Sequence, residues 1–197
     1  HDRLVCEDQD TVAASLGLLD ADALMRRVAE AGRAIAYATD VTWRQVERTL
    51  RARSGPARSR RPVSRRSLGH GVVEHDGEAV LARDARPELD PVVPLRAAAG
   101  AAQAGLVLSP ATVERLAIEC PPLPPVWPDA ARDALVALLG AGRAAVPVWD
   151  SLEAAGLIVR WFPEWEPVRY RPQRTPVHRH TVDRHQVEAA VVAAGLT

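Results

Sequence analysis

Lysine and asparagine are missing altogether, and all 25 basic side chains are arginine. Both absent residues have A-rich codons, so a GC-rich genome accounts for the bias, and the arginine content is not by itself a sign of phosphate recognition. The formal net charge is zero, which removes the global electrostatic footprint of a nucleic-acid binder. Two cysteines, Cys6 and Cys120, stand far apart with no CxxC spacing; this excludes a disulfide scaffold and predicts two buried free thiols in a reducing compartment. No apolar run approaches the ~20 residues of a membrane span. The opening "HDRLVCEDQD" is charged and is not a signal peptide. A cytoplasmic location is therefore expected. No Gly-rich phosphate loop is present either. The chain lacks an initiator methionine and both ends fall in mid-pattern, so the expectation is an internal fragment of a longer protein.

What is present reads as mostly helical. "EDQDTVAASLGL" predicts a short helix, after which Asp20 or Asp22 caps a longer one. Leu24, Val28, Ile35, Val46 and Leu50 recur at helical spacing and are expected, with Ala31, Tyr37, Val41 and Trp43, to form its buried face. The segment reads as one long helix or as two with a bend near Gly32. Arg51 to Arg66 holds seven arginines and no acid. With its Gly, Pro and Ser it predicts an irregular solvated loop. Asp76-Gly77 between two short apolar runs is a hairpin signal, the one clear β-element. Ser109 and Pro110 open a further helix as N-cap and first residue, "CPPLPPVWP" is a rigid connector, and Asp129 begins a helix stopped by Gly140 or Gly142. The fold class expected is mainly α: a helical bundle with one β-hairpin.

Few residues suggest chemistry. Asp8-Gln9-Asp10 and Asp20-Ala21-Asp22 have the Asp-x-Asp form of metal-binding transferase sites, but they sit at helix starts, where capping and the helix dipole favour aspartate. The stretch "PQRTPVHRHTVDRHQVE" carries His178, His180 and His185. Thr181 is placed to cap a helix from Val182, putting Val182, His185, Ala189 and Val192 on one stripe directed inward. His185 on that stripe is either a metal ligand or a satisfied core histidine. His178 and His180 precede the helix and are expected to be exposed or bonded to backbone. A zinc site from His180 and His185 has no cysteine pair nearby to complete it. Asp183, in the first turn, reads as structural, its charge favouring the helix dipole. Trp161, Trp165 and "PEWEPVRY" read as packing anchors for the incoming helix.

"LPPVWPDAARDALVALLGAGRAAVPVWDSLEAAGLI", "PEWEPVRYRPQRTPVHRHTVDRH" and "GVVEHDGEAVLARD" together resemble the bifunctional PII uridylyltransferase/uridylyl-removing family in its high-GC actinobacterial form. The resemblance implies a parent enzyme of nitrogen signalling that transfers UMP from UTP to the PII signalling protein and removes it hydrolytically in an HD phosphohydrolase domain. It implies a divalent metal, Mg or Mn, and glutamine as an effector. By the same resemblance residues 1–165 are the helical region after the nucleotidyltransferase core, including an Arg-rich loop at 51–67 and a hairpin at 71–83. Residues 166–197 begin the HD domain. His185, in "TVDRH", matches the first metal-ligand histidine of that domain. The adjacent His-Asp pair, the later Asp and the transferase signature are not in the chain, so no catalytic set is complete within it, and the piece by itself is expected to be inactive. Two other readings stay open: a non-catalytic helical interaction module, and a fragment of another HD-type metal-dependent phosphohydrolase. The final helix, short of its partners, is expected to fray in isolation.

Overall fold

The computed structural model describes residues 4–54, 66–175, 177 and 179–196. Its elements run α1 (Cys6–Ser15), α2 (Ala21–Ser54), β1 (Ser67–Gly69), β2 (Val72–His75), β3 (Glu78–Leu81), α3 (Val93–Gln103), β4 (Val107–Leu108), α4 (Pro110–Glu119), α5 (Asp129–Leu139), α6 (Ala145–Ala154), α7 (Leu157–Trp161) and α8 (Val182–Ala194). Among the described residues no single helix is long and apolar enough to cross a membrane.

The expected hairpin is β2–β3. Asp76 and Gly77 take φ of 51° and 79° at its turn, the left-handed pair that matches strand twist. The β-structure nevertheless exceeds one hairpin. β1 pairs antiparallel with β2, and β4 pairs parallel with β3 through Glu78↔Val107 and Ala79↔Leu108, giving a four-stranded sheet. The two-residue β4 is too short to carry a periodic signal. β1 follows residues 55–65, the greater part of the Arg-rich stretch, which lie outside the described residues; its first residues continue α2.

α3 is the axis of the core. Ala97, Ala98, Ala101 and Ala102 are buried on it, and such small side chains let α5 and α6 approach closely. Leu95, Leu108, Leu116, Leu138, Leu152, Leu157 and Ile158 fill the space around it. Gly100 faces β1, where a Cβ would meet the Leu68 carbonyl oxygen at 3.2 Å. Ser109 caps α4 as expected, its Oγ accepting from the Thr112 amide at 3.2 Å. Asp20 caps α2 by accepting from the Ala23 amide at 2.8 Å. Both cysteines are free, but only Cys120 is buried; Cys6 is exposed at the start of α1.

The chief departure concerns α2. It is one continuous helix through Gly32; Leu24, Tyr37 and Val41 face inward as expected, but the rest of the expected apolar face turns outward. Arg33, Tyr37, Val41, Arg44 and Arg48 lie on its half-buried side, while Val28, Ile35, Trp43, Val46 and Leu50 are exposed. The inward residues are spaced 4, 4, 3 and 4, as good a helical stripe as the apolar one. Three buried carboxylates decide between them. Glu78, Glu153 and Asp183 are each at most 3% exposed, and a buried charge demands a partner more strongly than an apolar side chain demands burial. Arg48 pairs with Glu78 from α2, with Arg44 Nε 3.6 Å from the same carboxylate.

Candidate functional site at the start of the last helix

α8 is led in by a connector that runs from the short 3₁₀ turn Pro163–Trp165. The Trp165 ring stands edge-on to Trp149 of α6, with centroids 5.3 Å apart. Trp161 is buried in the core, so the tryptophans do anchor this end of the chain. Arg26 of α2 donates to the Glu166 carbonyl. Arg174 reaches Asp22 and donates to Gln9 Oε1 at 3.0 Å. The Val182 amide donates to the Arg171 carbonyl at 2.9 Å, and Gln173 Nε2 to that of His180 at 3.1 Å. The connector is thus pinned to α1 and α2 on one side and to α8 on the other.

The register of α8 is set by Asp183, which is 0% exposed. Its Oδ2 accepts from Arg33 Nη1 at 2.7 Å, and the same nitrogen donates to Glu153 Oε2 at 2.9 Å. Arg33 Nη2 donates to the Thr181 hydroxyl at 3.2 Å. Thr181 is therefore drawn to the arginine, and its side chain does not cap the helix as expected. Arg169 Nε donates to Glu153 Oε1 at 3.3 Å and its Nη2 to the Tyr170 hydroxyl at 3.0 Å. Both guanidiniums, of Arg33 and of Arg169, lie 4.8 Å from the centroid of the Tyr170 ring, a range in which cation–π attraction is appreciable. Tyr170 holds a φ of 57°, uncommon for a bulky residue, and these contacts hold it there.

The two carboxylates that share Arg33 are displaced in opposite directions. Burial pushes Asp183 upward, but the Thr181 hydroxyl, the Tyr170 backbone and the Arg33 guanidinium outweigh it, and the acid titrates below its usual range. For Glu153 burial prevails over the attraction of Arg33, and the neighbouring Asp183 adds to it, so this acid is raised. Asp183 is structural as expected, though through a buried ion pair rather than the helix dipole.

With Asp183 inward, α8 is turned by about half a revolution from the expected orientation, at ~100° per residue. Asp183 and Val187 face the protein, whereas His185, Ala189 and Val192 are exposed. The inward placement of His185 is thereby corrected; the ion pair overrides the apolar stripe. Arg184 donates to both oxygens of Asp150, at 2.9 and 3.1 Å, and Glu188 accepts from Arg143 at 2.8 Å. His180 is exposed, as anticipated, and His178 lies outside the described residues. Among the described residues no three of His, Cys, Asp and Glu come together in a metal-binding group. Arg33 and Glu153 were not singled out in the sequence; the signal was there, a lone arginine within an alanine run and a lone glutamate in an apolar helix.

The chain is 61% identical over its whole length to a bifunctional uridylyltransferase/uridylyl-removing enzyme of Streptomyces coelicolor. It belongs to that family. The Mycobacterium tuberculosis enzyme of the same name is 46% identical, again over the whole chain, and that of Corynebacterium glutamicum 35% over 93% of it. The chain spans about 25% of the length of the Streptomyces relative, 24% of the Mycobacterium one and 26% of the Corynebacterium one. No family model and no solved structure matches it.

Proposed function

We propose that the chain is the connecting region of a cytoplasmic enzyme that transfers UMP from UTP to the PII signalling protein and removes it again by hydrolysis. In this reading it is responsive to glutamine and carries in α8 the first helix of the hydrolytic HD domain. The match of the entire chain to enzymes named for both activities supports this reading most directly. His185 is the residue of this chain assigned to the metal of the hydrolytic centre. A divalent ion there, Mg or Mn, would supply a bound water of lowered pKa as nucleophile. The chain's own part is to present one imidazole on a helix whose first turn is fixed by Asp183 and Thr181. Neither active site is complete within the chain, so the piece alone is inactive in this reading.

The test is His185→Ala in the full parent enzyme, assayed for both directions. Uridylyl removal should fall by on the order of 100-fold or more, as expected for loss of a metal ligand, with transfer within about twofold of the unsubstituted enzyme. Removal at the original rate would sink the assignment.

A further inference from the structure

A long helix on a globular protein ordinarily directs its apolar stripe to the core. From Val28 onward α2 does the opposite. Val28, Ile35, Trp43, Val46 and Leu50 are 38–67% exposed. Between Ala31 and Val46 the exposed positions are otherwise mainly Ala, Gly and Thr, and Asp40 is the one charge among them. At ~1.5 Å per residue, Val28 to Leu50 is a strip about 33 Å long. A contiguous apolar strip of that length marks an interaction surface. Depletion of charge along its centre is the composition of a permanent interface rather than a transient one.

We infer that this face of α2 is covered, in the parent protein, by an apolar, charge-poor surface of the same polypeptide. About three quarters of the length of the relatives lies outside the region matched by this chain, so a cover of that kind is at hand. A second copy of the chain would be released on dilution, which distinguishes it from a cover within the same polypeptide. The inference rests on family membership and on the helix, and it does not depend on the role of His185.

The experiment uses the full parent enzyme with Ile35→Cys, alkylated under native conditions and read by peptide mass spectrometry at high and at low protein concentration. Retained uridylyl transfer establishes that the variant is folded. The new thiol should react at least ~10-fold more slowly than N-acetylcysteine at both concentrations, because access then requires local opening. Oxidative footprinting of Trp43 in the unsubstituted enzyme gives the same reading without a substitution, and protection there is expected too. Reaction at the free-thiol rate, or ready oxidation of Trp43, overturns the inference. Protection that disappears on dilution also overturns it and assigns the face to a second copy.

Discussion

Arg33 Nη1 stands 2.7 Å from Asp183 Oδ2 and 2.9 Å from Glu153 Oε2, so a single nitrogen joins α2, α6 and α8. Glu153 is shared with Arg169, whereas the ion pair of the fully buried Asp183 is with Arg33, which makes this arginine the least replaceable residue of the junction.

Arg33→Met should destabilise the chain by about 3–5 kcal/mol, the usual consequence of leaving a buried charge unpaired. Arg33→Lys keeps the charge but not the fork that also reaches Thr181, and about half of that loss is expected. Urea unfolding followed by circular dichroism checks both. A stable Arg33→Met protein would show that the carboxylates find other partners.

Glu153 gives a pH signature of its own. Its acid is raised in the folded state. The stability it contributes is therefore fully present below the unfolded value, about 4.3, and is lost as pH rises through the folded value. In Glu153→Gln that decline is absent. The stability of the original chain relative to this variant should thus fall as pH rises above the unfolded value of about 4.3. Parallel unfolding curves for the two proteins across that range would contradict the assignment.

Amide exchange along α8 should be graded. Its first turn is held by Asp183, by Arg184 on Asp150 and by the Val182 amide on Arg171; Val192, Ala193 and Leu196 are exposed. Protection at the N-terminal end should exceed that at Ala193 and Ala194 by at least ~10-fold. Uniformly fast exchange would mean that the ion pair does not hold the helix in solution. Uniformly slow exchange would mean that the helix needs no further partner.

Tyr170→Phe removes the hydroxyl that accepts from Arg169 Nη2 but keeps the ring near both guanidiniums, for a loss of about 1 kcal/mol. Tyr170→Ala loses ring and cation–π contacts together, for about 3 kcal/mol or more. A thermal-melt comparison of the pair separates the two contributions. Equal losses would place the whole effect on the hydroxyl.

Most turn and cap chemistry was legible in the sequence because it is local, the exception being Thr181, which is drawn to Arg33 instead of capping α8. Asp76-Gly77, Ser109-Pro110 and Asp20 need only their neighbours to act, and each is found where expected. The face of α8 and most of that of α2 were not legible, for a common reason. Both helices carry two competing stripes, and the choice between them is made by carboxylates distant in the chain. Arg33 to Asp183 spans 150 positions, and no periodicity within a helix reports a partner so remote. The short parallel β4 was missed likewise, its pairing with β3 being tertiary. The exposure of His185 had to come from the structure.

Arg33 and Arg48 are 15 positions apart on one continuous helix, so two of the ion pairs that fasten it lie about 22 Å from each other. One fastening is Glu78 in the sheet and the other is Asp183, two residues before His185. A stiff rod held this way neither rolls nor slides at one end alone. Any load that tilts α2 enough to draw Arg48 from the sheet strains the grip of Arg33 as well, and with it the direction in which the first turn of α8 holds out its imidazole.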